Sequence, residues 1–251
     1  MQTIKMIVTD LDSTLLQEDK TISERTINAL KLCREKGIKL AYATGRGNSS
    51  KILVPSELFD GFVRVNGAAA YIGDELVHSK YIPIEKSRAL LVAAHSAGVK
   101  IAAENNGRHY SNFNVIEHWP WIKYCELIDF STFDIEAEKL YAIDTLDAVD
   151  IIRHNLPEDL YLLVSRDKLA MVMHKDAVKS KATFALAERW GIAPDEIAAF
   201  GDDCNDVELL ENCGIGVAMG NALDEVKAIA DYICDDNDND GMAKWIEENL
   251  F

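Results

Sequence analysis

The chain has 251 residues, 48% of them hydrophobic and 27% charged, which excludes a disordered or fibrous protein. Its 42 acidic and 26 basic residues leave a formal charge of −16, which opposes nonspecific binding to nucleic acid or anionic lipid. An anionic substrate must therefore be drawn in by local cations or a metal ion.

Residues 4–9 predict a short buried strand running into Asp10-Leu11-Asp12-Ser13-Thr14. Ser23 caps an amphipathic helix carrying Ile27, Leu30 and Cys33, and Gly37 ends it. Residues 38–43 form a continuous apolar strand ending in Thr44-Gly45-Arg46. Residues 49–58 pattern as a helix, and 62–65 as a strand closed by Asn66-Gly67. This alternation belongs to a parallel sheet with crossover helices, whose ligands bind beyond the carboxyl ends of the strands.

The middle of the chain differs. Gly73-Asp74 predicts a hairpin between 69–72 and 75–82. A helix at 85–97, strands at 99–104 and 108–112 around Asn105-Asn106-Gly107, a helix at 147–155 and strands at 160–165 and 169–174 describe an α+β module with an antiparallel sheet. From Ala177 the alternation returns, with a helix to Trp190, a strand at 197–200, a helix to Cys213, a strand at 215–218 and a helix from Ala222. The expected fold is α/β: a doubly wound parallel sheet built from 1–81 and 175–251, interrupted by an inserted module at 82–174.

Chemistry-bearing residues cluster at the expected strand ends. Asp10-x-Asp12-x-Thr14 offers two carboxylates that can converge on a hard cation such as Mg²⁺, although the same pattern also serves an Asx turn or a helix cap. Gly201-Asp202-Asp203-Cys204-Asn205-Asp206 supplies a sharp turn and further oxygen ligands, or a capped helix start through Asp203 or Asn205. Thr44-Gly45-Arg46 offers a hydroxyl and backbone N–H groups to an oxyanion. Lys179-Ser180-Lys181 places cations at a helix N-terminus, where they oppose the macrodipole unless an anion sits nearby.

Together and in this order, these segments resemble the motifs of the haloacid-dehalogenase-like phosphohydrolase superfamily over nearly the whole chain. Val217-Ala218-Met219-Gly220-Asn221-Ala222, Val226-Lys227, Ala230-Asp231 and Asn66-Gly67-Ala68 further resemble its Cof-type subgroup. The resemblance implies a Rossmann-like catalytic core and an inserted α/β cap that sets substrate specificity. Family members carry Lys-Gly where this chain has Lys179-Ser180-Lys181; counting back from Leu186-Ala187-Glu188 and Gly191-Ile192 lands on Lys179, with Lys181 the alternative.

The implied activity is Mg²⁺-dependent hydrolysis of a small phosphate ester, a sugar phosphate or phosphorylated cofactor, through an aspartyl-phosphate. Asp10 would be the nucleophile and Asp12 the general acid and base. Asp10, the Asp12 carbonyl and Asp202 would hold the metal, and Thr44, Gly45, Lys179 and Asn205 the phosphate, with Asn205 contacting it or orienting Lys179. Thr14, Arg46, Asn66 and Asp206 would support them. A phosphotransferase or mutase using the same intermediate, or a noncatalytic Mg²⁺-dependent binding protein, are the alternatives.

Two further patterns compete for attention. Asp236-x-Asp238-x-Asp240-Gly241 with Glu247 satisfies a calcium-loop spacing, yet the strand-like Tyr232-Ile233-Cys234 replaces the entering helix and Lys244 stands at a ligand position. It is expected to close the core. Aromatics at His109-Tyr110, His118-Trp119-Pro120-Trp121 and Tyr124 suit either a substrate wall or the inserted module's own core.

The opening segment lacks a secretion-signal layout, and no apolar run approaches the ~20 residues that span a bilayer. Cys33, Cys125, Cys204, Cys213 and Cys234 form no C-x-x-C pair, so free thiols are expected. A cytoplasmic protein follows, monomeric or weakly homo-oligomeric, with neither nucleic acid nor membrane as partner.

Overall fold

The computed structural model describes residues 3–55, 57–143, 146–164 and 169–251. Position 56, inside the expected helix at 49–58, and position 165, at the end of an expected strand, lie outside the described residues. The chain divides into two compact units, one of Met1–Arg46, Ser50–Ser79 and Val178–Phe251, the other of Gly47–Ser49 and Lys80–Ala177.

The first unit opens with β1 (Met6–Thr9), α1 (Glu24–Glu35), β2 (Lys39–Ala43), β3 (Gly61–Arg64), β4 (Ala69–Ile72) and β5 (Glu75–Ser79). The second contains α2 (Ile84–Ser96), β6 (Ile101–Asn105), β7 (Arg108–Ser111), β8 (Cys125–Leu127), β9 (Lys139–Ile143), α3 (Leu146–His154), β10 (Leu160–Val164) and β11 (Leu169–His174). The chain then returns to the first unit with α4 (Lys179–Arg189), β12 (Ile197–Gly201), α5 (Val207–Asn212), β13 (Ile215–Ala218), α6 (Asp224–Ile229), β14 (Tyr232–Ile233) and α7 (Gly241–Asn249).

The first unit's described strands form one eight-stranded sheet in the order β14-β13-β12-β1-β2-β3-β4-β5. It is parallel from β14 to β3, and β4 and β5 extend it antiparallel. This is the α/β, doubly wound arrangement that the alternation predicts. Every residue of β1 is buried, as a central parallel strand covered on both faces requires. Thr9 pairs with Phe200 on one side and Tyr42 on the other. The strand order reverses at β1, so the loops after β1, β2 and β12 diverge around one crevice, the usual ligand position in such sheets.

Local chemistry accounts for the helix boundaries. Ser23 caps α1 by accepting the Thr26 N–H, and Ala29, Leu30 and Cys33 are buried. Over 49–58 the expected helix is replaced by a 3₁₀ turn, Asn48–Ile52. Pro55 explains the difference, because it has no N–H to donate and disfavours helical backbone at Val54.

In the second unit, six described strands run in the order β10-β11-β9-β6-β7-β8. The sheet is antiparallel as expected except for the parallel pair β7–β8. Sequence patterning assigns no strand to β8 or β9. Lys139, heading β9, reads as a surface residue, but it is almost buried with its Nζ 3.1 Å from Glu104 Oε2. Tyr110 packs in the cluster that contains Leu90, Leu91 and Phe130, so it belongs to the unit's own core. Phe113, Val115 and Tyr141 form a separate buried cluster, with Trp119 packed against it.

Gly67, between β3 and β4, packs against Val178 at the start of α4. Its φ is +104°, and an added Cβ would lie 2.2 Å from the Val178 carbonyl oxygen. Gly67→Ala is therefore expected to destabilise the protein by about 3 kcal/mol, combining left-handed strain with overpacking. Gly73→Ala, in the β4–β5 turn with no atom within 4 Å, is expected to cost about 1 kcal/mol. Urea denaturation of the two variants measures the difference.

Candidate active site

Parallel strands carry their following loops to the same edge of the sheet, which brings together segments distant in sequence. Asp10 follows β1, Thr44 follows β2, Asn66 follows β3 and Asp202 follows β12. The Asp10 N–H donates to the Phe200 carbonyl at 2.9 Å, fixing the Asp10 backbone against the neighbouring strand.

The centre of the site is a buried lysine. Lys179, the first residue of α4, has no exposed side chain and donates from Nζ to Asp10 Oδ1 and Asp206 Oδ1, both at 2.7 Å. Burial disfavours its charge, but the two carboxylates outweigh that and raise its pKa. Lys181, two residues on, is exposed. Of the two lysines, Lys179 lies against Asp10.

Asp206 also closes its own loop. Its Oδ2 accepts the N–H groups of Asp202 and Asp203 at 3.2 and 3.3 Å. A Cβ at Gly201 would lie 2.5 Å from the Asp206 Cγ, so only glycine admits this approach. Thr14 Oγ1 donates to Asp202 Oδ1 at 2.7 Å. The helix-capping alternative for this loop does not hold: α5 has Asp206 at its N-cap position without a side-chain cap, and Asp203 accepts from the Cys204 N–H.

Asp12 is held differently. Arg46 grips it with two bonds, Nε to Oδ2 at 2.5 Å and Nη2 to Oδ1 at 2.7 Å, and Lys20 adds a third at 3.0 Å. Burial pushes the Asp12 pKa up, but Arg46 and Lys20 outweigh it and hold the carboxyl below its ordinary value. Lys20 lies eight residues beyond Asp12 in a polar run, and no sequence signal marks it.

Thr44, Gly45, Asn66 and Asn205 form a polar shelf. Thr44 Oγ1 accepts the Arg46 N–H at 3.1 Å, which leaves its hydroxyl hydrogen to donate. Asn205 Nδ2 donates to Asn66 Oδ1 at 2.9 Å, and Asn205 Oδ1 is buried with no hydrogen-bond partner among the described residues. Asn205 thus bonds Asn66, while Asp10 and Asp206 orient Lys179. Asn66, at φ +53°, follows Val65 at φ +49°; two successive left-handed residues mark stored strain beside the shelf.

The donor set suits a hard divalent cation. Asp10, Asp202 and Asp206 bring carboxylate oxygens within 4.8 Å of one another. Burial, opposed by Lys179 and reinforced by Asp206, pushes the Asp10 pKa up to about 7. Burial, opposed by Thr14 and reinforced by Asp206, pushes that of Asp202 up to about 6. Both exceed the unfolded value, so ionising these groups costs the fold stability as pH rises from ~4 toward those values. A bound divalent cation would offset that cost.

The haloacid dehalogenase-like hydrolase family matches residues 7–246. The chain belongs to this family. It is 29% identical over 258 residues to the 5-amino-6-(5-phospho-D-ribitylamino)uracil phosphatase YcsE of Bacillus subtilis, covering 97% of this chain and 94% of that protein. It is 27% identical to the phosphatase YwpJ of the same organism, covering 98% and 100% of the two chains. The crystal structure of a haloacid dehalogenase-like hydrolase from Bacteroides thetaiotaomicron superposes with a TM-score of 0.88 at 26% identity, covering 99% of this chain and 100% of that one. A sugar phosphatase of subclass IIB superposes at 0.82 with 26% identity, covering 97% and 98%. The phosphatase class expected from the motifs stands with the family. Among the described residues, no helix is long and apolar enough to cross a membrane.

The buried lysine yields a direct prediction. Lys179→Met leaves Asp10 and Asp206 buried against each other without their cation, and is expected to destabilise the protein by about 3–5 kcal/mol. Equilibrium urea unfolding at neutral pH in a chelating buffer measures it; a loss below about 1 kcal/mol would mean that the triad is not maintained in solution.

Proposed function

We propose that the protein is a Mg²⁺-dependent phosphomonoesterase that works through an aspartyl-phosphate on Asp10. The observation that carries this reading is the Asp10–Lys179–Asp206 triad at the end of the central strand. Lys179 occupies Asp10 Oδ1, which leaves Oδ2 as the attacking oxygen. A carboxylate meeting a phosphate dianion faces strong repulsion, and the surrounding cations offset it.

Asp10, Asp202 and the Asp12 backbone carbonyl are the proposed Mg²⁺ ligands. Bound Mg²⁺ would supply charge neutralisation between nucleophile and phosphoryl group. The Thr44 hydroxyl and the Gly45 N–H donate to the phosphoryl oxygens, and Lys179 adds its positive charge. Asn205 lines the same shelf, and the second hydrogen of its Nδ2, beside the one given to Asn66, donates to a phosphoryl oxygen.

The reaction runs in two displacements. Asp10 Oδ2 forms a bond to phosphorus as the ester P–O bond breaks, and Asp12 gives a proton to the departing alkoxide. A water then attacks the aspartyl-phosphate, giving its proton to Asp12, and the P–O bond to Asp10 breaks to release phosphate. Arg46 pairs with the ionised Asp12 in the resting protein and is drawn toward the incoming dianion, so that Asp12 takes up from solvent the proton it then gives to the alkoxide. Residues 82–174 act as the cap that selects the alcohol. Two named relatives, one acting on a phosphorylated ribitylaminouracil and one a sugar phosphatase, support a polyhydroxylated phosphate ester as the substrate class.

Phosphate release from p-nitrophenyl phosphate and a panel of phosphorylated metabolites, with Mg²⁺ or a chelator, tests the proposal. Turnover is expected only with Mg²⁺, and Asp10→Asn should reduce it at least about a thousandfold, as expected when a nucleophile is removed. Undiminished turnover by Asp10→Asn would rule the mechanism out, and nitrophenol release that needs an acceptor sugar and yields no free phosphate would make the enzyme a transferase.

A further inference from the structure

The acidic turn before α7 carries the calcium-loop spacing, but its groups are otherwise engaged. Asp236 Oδ1 accepts the Asn239 N–H at 2.8 Å, and Oδ2 accepts Asn239 Nδ2 at 3.0 Å. Glu247 accepts two bonds from Arg25, and Asp235 pairs with Lys244 at 2.6 Å. Its two central residues, Asn237 and Asp238, are bonded instead to the loop that follows β1.

Five hydrogen bonds connect that loop to Asn221 and the acidic turn, directly or through one another. Asn221 Nδ2 donates to the Ser13 carbonyl at 2.7 Å, and Asn221 Oδ1 accepts the Asn237 N–H at 3.1 Å. Asn237 Nδ2 donates to the Leu16 carbonyl at 2.9 Å. Asp238 Oδ1 accepts the Glu18 N–H at 2.9 Å, and the Asp238 carbonyl accepts from Gln17 Nε2 at 3.3 Å.

The gripped loop begins one residue after Asp12 and has little regular structure of its own. Asp12 and Leu16 form an isolated bridge, and the next element is α1. Ser13 sits at φ +60°, a backbone state that persists only where the surroundings enforce it. Asn221 enforces it from one side through the Ser13 carbonyl. On the other, the Thr14 hydroxyl is tied to Asp202.

We propose that Asn221, Asn237 and Asp238 form a clasp that sets the position of Asp12 for its proton transfers. They are positioning residues that act through the Ser13–Glu18 backbone, and the proposal rests on the acid–base role given to Asp12 above. Placement within an ångström governs such transfers, so loosening the loop lowers the rate without removing any group that binds phosphate.

The test uses Asn221→Asp, Asp238→Ala and Asp238→Asn in the full chain with Mg²⁺, on p-nitrophenyl phosphate and on glycerol phosphate. Asn221→Asp keeps the acceptor for Asn237 and replaces the donor to Ser13 with a carboxylate oxygen that repels the Ser13 carbonyl. It should lower kcat on glycerol phosphate about tenfold with KM nearly unchanged. In kcat/KM, which stops at formation of the aspartyl-phosphate, the loss should be smaller on p-nitrophenyl phosphate, whose phenolate leaves without a proton. Asp238→Ala should behave likewise, and Asp238→Asn, which keeps the acceptor, should restore the rate. Hydrogen exchange of residues 13–18 should quicken in the two weakened variants. Unchanged kcat and exchange, or equal losses of kcat/KM on both substrates, would overturn the clasp. If the unaltered chain hydrolyses neither ester, the phosphatase reading fails separately, and exchange alone decides: unchanged protection removes the clasp and quickened exchange keeps it.

Discussion

A fully buried lysine between two carboxylates constrains this molecule more than any other interaction. Lys179 could not stay charged at zero exposure without Asp10 and Asp206 beside it. The three residues come from the ends of β1 and β12 and the start of α4, so their meeting fixes the ends of two adjacent strands and a helix relative to one another. The glycines follow from it: Gly201 lets the Asp206 loop fold back, and Gly67 lets the chain after β3 approach Val178, next to the lysine. The price is a site overloaded with negative charge, since Asp202 joins the other two carboxylates with one lysine among them.

That imbalance links structure to chemistry. A site that holds crowded carboxylates in place has carried out in advance the desolvation that a cation and a phosphate would otherwise have to drive. Asp12 stands apart from it, held by Arg46 and Lys20 instead of by the triad. The proposed nucleophile and the proposed acid–base group are thereby separated electrostatically although they are two residues apart. Asp10 is pushed up and Asp12 held down. This is the reverse of what a nucleophile and a general acid need, so on the proposed mechanism the bound cation must lower Asp10 and the withdrawal of Arg46 must raise Asp12 before the first displacement.

The sequence made the strand-end chemistry legible because carboxylates and glycines interrupt apolar runs there, and a parallel sheet carries those interruptions to one edge. Asp10, Thr44, Asp202 and Asp206 could therefore be picked out one strand at a time. What could not be read were partners set by tertiary contact. Lys20 on Asp12, Asn221 on Ser13 and Asn237 on Leu16 have no local pattern, and Asn237 sits inside a motif that mimics something else. The expected helix at 49–58 failed because its apolar spacing outweighed the veto of Pro55. Strand β9 was missed because Lys139 disguises a buried position, and only the pairing with Glu104 makes that position tolerable.

The chemistry on this account lies wholly within the first unit, so the reaction class does not depend on what the second unit selects. The most direct measurement is a rapid quench of the Asp12→Asn variant with a turned-over phosphate ester, followed by mass spectrometry of its peptides. Without its base the variant should accumulate one phosphoryl group, labile to hydroxylamine and located on Asp10. Phosphate on another residue, or steady turnover with no phosphoenzyme at any time, would contradict the account.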